Sequence, residues 1–212
     1  GGVLSKGTKV GAPQYTVEEL TALIDEAHSR GLKVASHAHG AEGIINALIA
    51  GADTIEHASF IDDEGIRLAI ENDAALSMDI YVTEYILGEG ASAGILEESL
   101  EKERMTGATQ RSNFRKAVEA GATIVYGTDA GVYPHGQNAK QLSRMTRFGM
   151  SPLQALQSAT TVAAEVMGLG YEVGKIEAGY AADFVAVEGN PIEQIELLEA
   201  PSAVIKGGVR YR

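Results

Sequence analysis

One pattern recurs through residues 1–168 and narrows the folds open to them: an amphipathic helix, a closing glycine, a short apolar run, then a polar residue. That order marks alternating helices and parallel strands, because a glycine can close a helix in a left-handed turn and return the chain to the sheet. Thr16 and Glu19 of TVEE form a capping box, Leu20, Leu23, Ile24 and Ala27 follow at helical spacing, and Gly31 ends the helix. The strand LKVAS then delivers His37. A helix over Ala41 to Ala50, closed by Gly51, leads to the strand DTIE and to His57, 20 residues beyond His37.

The third helix, over about Asp63 to Asn72, precedes AALSMDIYV, a buried strand with Asp79 at its polar end. Glu97 to Ala120 has the periodicity of a helix pair broken near Gly107, and Gly121 closes it before ATIVYGTDAG, whose strand delivers Asp129. Helices are expected over Ala139 to Phe148 and Pro152 to Met167, the second with Ser151 as N-cap and Pro152 at its first position. Beyond Gly168 the texture changes, and VGKI, ADFVAVEG and SAVIKGGVRYR read as strands of a small β unit over residues 169–212.

In a parallel (β/α) barrel the carboxyl ends of the strands converge on one face, so polar residues ending successive strands share a site. His37, His57 and Asp129 all hold that position. A closed barrel of this kind needs eight strands, whereas four complete ones precede the terminal β unit. The expected fold class is therefore α/β, half of a (β/α)8 barrel followed by strands of a small β unit.

Neutral imidazoles and a carboxylate suit Zn2+ or a similar divalent ion, which activates water and polarises a carbonyl. An Asp beside both metal and water also suits a proton shuttle. A single His at a strand end is more often structural; three ligand-type residues in equivalent places carry the metal reading. Asp129 taken alone also fits a turn, since TDAG is good turn chemistry. His39 fits a substrate contact, a support for the metal ligands, or the entrance to the next helix, and His135 in VYPHGQN fits exposed loop or substrate contact. His28 reads as surface or packing, and Asp79 and Glu84 read as residues of a solvated loop in preference to acids of the pocket.

Composition removes other chemistries. A formal charge of −12 opposes a phosphate-tracking surface, so nucleic acid is not expected as a partner. Without Cys there is no disulfide, thiolate ligand or thiol nucleophile. No stretch has the apolar length of a membrane span, and GGVLSKGTKVGAPQ lacks a signal-peptide core. A cytoplasmic location is the default, although a chain opening on Gly1-Gly2 without Met says nothing about targeting. The expected partner is a small molecule or short peptide as substrate, and association into a homo-oligomer is left open.

The segments VASHAHGAEGIINALIAGADTIEH, GTDAG and AGYAADFVAVEGNP resemble the amidohydrolase superfamily, nearest its prolidase-like and imidazolonepropionase-like branch. The resemblance makes residues 1–168 the end of barrel strand 4 through strand 8 with the following helices, residues 169–212 strands of a small β-sandwich, and the whole chain the C-terminal half of the fold. It implies that His37 and His57 are metal ligands from the fifth and sixth strands. Asp129, from the eighth, is by the same resemblance a ligand and the proton shuttle. A first-strand His-x-His pair and a carboxylated Lys bridging two metals would complete the site, and these are expected upstream of Gly1, neither the HAH of residues 37–39 nor Lys6 being their counterpart. One or two ions, most simply Zn2+, follow.

The implied activity is hydrolysis of an amide C–N bond in a dipeptide, Xaa-Pro or N-acyl amino acid substrate. Tyr15 would contact the substrate carboxylate, unless it is a packed loop tyrosine. A cyclic-amide hydrolase or deaminase, or a catalytically silent chain, are the alternatives.

Overall fold

The computed structural model describes residues 1–212. Four parallel strands, β1 (Ala35–Ala38), β2 (Thr54–His57), β3 (Ala75–Ser77) and β4 (Ile124–Val125), lie side by side in sequence order. Helices α1 (Val17–Ser29), α2 (Ala41–Ile49) and α3 (Asp63–Glu71) alternate with the first three strands, and α4 (Val82–Gly88) and α5 (Glu97–Ala120) separate β3 from β4. The expected capping box of Thr16 and Glu19 opens α1, and Gly31, Gly51 and Gly121 each take the left-handed conformation that stops a helix, with φ of +71°, +96° and +81°.

Alternation along the strands divides their side chains between two faces. Ile55, Leu76 and Ile124 point to the helices and join Ile24, Ile44, Leu48, Phe114 and Met145 in the main core. In the ladder, His37 pairs with Glu56, Glu56 with Ser77 and Ser77 with Val125, which places these residues together on the opposite, concave face. The architecture is the C-terminal half of a (β/α)8 barrel. A separate antiparallel sheet of β5 (Phe184–Ala186), β6 (Ala203–Lys206) and β7 (Val209–Arg210) follows, its last hairpin turning on Gly207 and Gly208 with both φ positive. No helix is long and apolar enough to cross a membrane.

Several expectations are corrected. The segment from Glu97 to Ala120 is one helix of 24 residues, not a pair broken at Gly107. Gly107 is there for packing: a Cβ on it would lie 2.3 Å from Thr83 Cγ2, so its bare backbone lets α4 sit against α5. Gly107→Ala is expected to lower stability, because overpacking typically costs about 1–3 kcal/mol and the gain in helix propensity returns only about 1 kcal/mol. Thermal unfolding checks this, and an unchanged or raised Tm would show that Thr83 can move aside.

The stretch from Pro152 to Met167 is two helices, α7 (Pro152–Ser158) and α8 (Thr161–Val166), after α6 (Lys140–Arg147). Its break falls where Ser158 gives its carbonyl oxygen to the Tyr126 N–H, 3.1 Å away, and Thr160 leaves helical geometry at φ −132°. Strand β3 is also shorter than AALSMDIYV, since the chain turns at Asp79 and enters α4. VGKI forms no strand: Ile176 is exposed and Gly174 turns at φ +92°. Gly1 to Val3 carry no ladder, and Gly1 bonds instead to the turn at Gly11 and Ala12.

Candidate metal centre

The strand ends bring the sequence-predicted residues together around His57. Imidazole nitrogens of His37, His39 and His57 lie within 4.8 Å of one another, and so do ligand atoms of His57, Asp79 and Asp129. His57 belongs to both groups. Its ring is 4.5 Å from that of His37 and stacks on His39 at 4.6 Å.

Backbone strain aims two of these side chains. Strict alternation after Ile55 and Glu56 would send His57 to the helix side, beside its ladder partner Ala38 in the core. Instead His57 and Ala58 adopt φ of +69° and +46°, and Asp129 adopts +50°. Such conformations in residues other than glycine cost about 1–3 kcal/mol each and persist where surrounding structure imposes them, which is most often at functional sites.

Hydrogen bonds then fix the rings. Asp79 Oδ1 faces His57 Nδ1 at 3.0 Å, and Gln110 Nε2 donates both to the same Asp79 oxygen, at 3.1 Å, and to the His57 carbonyl, at 3.0 Å. With Nδ1 so engaged, His57 has Nε2 left for a ligand bond. His39 Nδ1 meets Ser59 Oγ at 2.8 Å, which leaves its other nitrogen facing the group.

Electrostatics separates the imidazoles. Burial, reinforced by the neighbouring His57 and His37, pushes His39 down to about 3, so it stays neutral. Burial and repulsion from His57 also lower His37. For His57, burial opposes the charged form, but the hydrogen bond and charge of Asp79, with Asp129 and Glu56, raise it above its ordinary value. Burial and the like charge of Asp79 raise Asp129, against the pull of His57. Asp79 itself is lowered, its burial outweighed by the hydrogen bond to His57.

The donor set fits a divalent ion: neutral imidazole nitrogens, carboxylate oxygens and no thiolate. Asp79 Oδ2 is buried without a hydrogen-bond partner, an uncompensated negative atom at the edge of the cluster. The surrounding cleft, about 370 Å³, is lined by the three histidines, Asp79, Asp129 and Glu103, with Val82, Ile86 and Val132 as apolar wall.

The other expected contacts are placed apart. Tyr15 is exposed and lines an adjoining cleft that shares His37 and His39. His135 is exposed in its loop and does not line the main cleft, and His28 pairs with Asp53 at 2.9 Å on the surface. Gly40, with no side-chain cap, precedes α2, so His39 does not open that helix. Asp79 is not a solvated loop residue but 4 % exposed, and Glu84 sits in α4 bound to Arg144. Asp79 had the same strand-end signal as the two histidines; Gln110, Glu103 and Ser59 had none that sequence reasoning could use.

Histidines and carboxylates at the carboxyl ends of parallel strands occupy the face on which (β/α) barrels build their sites. Residues 1–210 match the model of the amidohydrolase family, and the chain belongs to that family. A solved Xaa-Pro dipeptidase with methionine bound in its active site is 41% identical, with a TM-score of 0.94 over 100% of this chain and 52% of that one. The ochratoxinase of Aspergillus niger is 33% identical over 217 residues, 100% of this chain and 45% of that protein. The imidazolonepropionase of a Geobacillus species is 27% identical over 179 residues, 81% of this chain and 37% of that protein. The chain thus falls in the prolidase-like and imidazolonepropionase-like branch and spans about half the length of its first two relatives.

Proposed function

We propose that the protein containing this chain hydrolyses a peptide or related amide C–N bond in a dipeptide, Xaa-Pro or N-acyl amino acid substrate. The observation that carries this reading is the place of His57 between His37 and Asp129: it shares one group of ligand atoms with His37 and His39 and a second with Asp79 and Asp129, and all five line one cleft. His37, His57 and Asp129 hold one or two divalent ions, most simply Zn2+. When bound, the ion supplies Lewis acidity and brings the pKa of water down towards neutrality.

Asp129 accepts the proton that water loses as its oxygen bonds to the carbonyl carbon, and returns it to the nitrogen as the C–N bond breaks. Tyr15, His39 and His135 are substrate contacts in this reading. Residues 1–168 serve as the barrel portion and residues 169–212 as the β-sandwich portion of a cytoplasmic enzyme, which is open to self-association.

The likeness to an imidazolonepropionase favours one second reading, a cyclic amide as substrate. A panel of dipeptides, N-acyl amino acids and lactams, offered to the complete protein, separates the two. Treatment with a chelator is expected to lower turnover by about a hundredfold or more, with Zn2+ restoring it. Full activity at verified zero metal content would overturn the metal assignment.

A further inference from the structure

The turn that carries Asp79 is clasped by a side chain from outside the cleft. Gln141, on α6, is completely buried, an uncommon place for an amide unless both its ends are bound. Both are: Oε1 accepts from the Tyr81 N–H at 2.8 Å, and Nε2 donates to the Met78 carbonyl at 2.7 Å. Met78 and Tyr81 flank Asp79 and Ile80, so one planar group spans the turn where the chain leaves β3 for α4. Gln141 does not line the main cleft, and contact with substrate does not account for its place.

Other groups hold the same corner. The Tyr81 hydroxyl donates to Gln137 Oε1 at 2.9 Å, Arg144 donates twice to Glu84 of α4, at 2.7 and 3.0 Å, and Arg111 donates to the Ile80 carbonyl at 3.2 Å. Gln141 differs in gripping the chain on both sides of Asp79. Its backbone is anchored in turn to the loop after β4. The Gln141 N–H donates to the Asn138 carbonyl at 3.0 Å, and Asn138 Nδ2 reaches the hydroxyl of Thr128, the neighbour of Asp129, at 3.3 Å. One residue thereby joins the two strand-end loops that carry Asp79 and Asp129, the carboxylates grouped with His57. Removing the amide takes the partner from the buried Tyr81 N–H, and an unpaired group there costs enough to drive the turn to move.

We propose that Gln141 is a positioning residue for the metal centre: its amide holds the Asp79 turn against His57 and in register with Asp129. The proposal rests on the metal reading of this site.

Zn2+ affinity of the complete protein, read by competition with a chromophoric chelator, tests it in a double-mutant cycle of Gln141→Met and Asp79→Ala. Methionine fills a similar volume and loses both bonds. In the wild-type background it is expected to weaken Zn2+ binding by about threefold to tenfold, less than the loss of a group that touches a metal-bound histidine directly. In Asp79→Ala the same substitution should change the affinity by less than about twofold, because the group it positions is gone. A loss under about threefold in the wild-type background would overturn the proposal, and so would equal losses in both, which mark a residue that supports only the fold. A second readout needs no metal: the far-downfield proton resonance of an imidazole N–H bonded to a carboxylate, identified by its disappearance in Asp79→Ala. In metal-free Gln141→Met it should shift or broaden away, and an unchanged resonance would overturn the proposal. If the wild type takes up no Zn2+, the metal reading fails while the resonance still decides the role of Gln141; it decides equally if Asp79→Ala takes up none. If Gln141→Met does not fold, Gln141→Asn, one methylene too short to span the turn, replaces it under the same limits.

Discussion

Asp129→Asn in the complete, metal-loaded protein is expected to lower kcat by about two to four orders of magnitude, the usual weight of a positioned general acid or base. The substitution is a clean one at this position. Asp129 sits at φ +50°, a conformation that Asn tolerates better than any other non-glycine residue, so the variant keeps the backbone that aims the side chain. It also keeps an oxygen for a metal while removing the ability to carry a proton. Steady-state kinetics on the preferred amide substrate, with metal content measured on the same sample, reads the effect. Near-normal turnover with metal retained would remove Asp129 from the proton path, and metal loss matching the activity loss would make it a ligand only.

The fold was legible wherever one residue type signals one local geometry. Glycines after helices and apolar runs after glycines place β1, β2 and β4, and they place His37 and His57 at strand ends. The signal failed where tertiary contact overrides local preference. Gly107 looks like a helix breaker but is a packing notch against Thr83, and no sequence rule separates the two. The break between α7 and α8 follows from a backbone bond to Tyr126, more than thirty residues away in sequence from Ser158, as the two residue numbers show. AALSMDIYV read as one strand because its run is apolar throughout, although only Ala75–Ser77 join the sheet.

The candidate site divides in the same way. Its imidazoles were legible from strand position, but the groups that orient them were not. Gln110 lies on a helix whose sequence gives no hint that it reaches back to the His57 carbonyl. Glu103 looks like one more acid in a charged helix, and its burial appears only when α4 and α5 are packed together. Asp79 was read as solvated because charged residues are rarely buried unpaired. It is buried because it is paired, with His57 on one side and Gln110 on the other.

That pairing sets the second large expected effect. Asp79→Ala should weaken metal binding by about ten- to a hundredfold, as loss of a carboxylate behind a metal-bound histidine does. Two physical consequences add. The ring of His57 loses the acceptor that holds Nδ1 and leaves Nε2 for the metal, and it loses the nearby negative charge that makes it a better electron donor. Asp79→Asn separates them, because the amide oxygen can still accept from Nδ1 while the charge is gone, so its loss should fall between wild type and Asp79→Ala. Competition with a chromophoric chelator measures the affinities without reference to activity. Equal affinities for all three proteins would mean that strain at His57 and Ala58 alone aims the ring. Loss of a whole equivalent of metal in both variants, with no intermediate affinity, would make Asp79 a ligand in its own right, and its free Oδ2 would be the atom responsible.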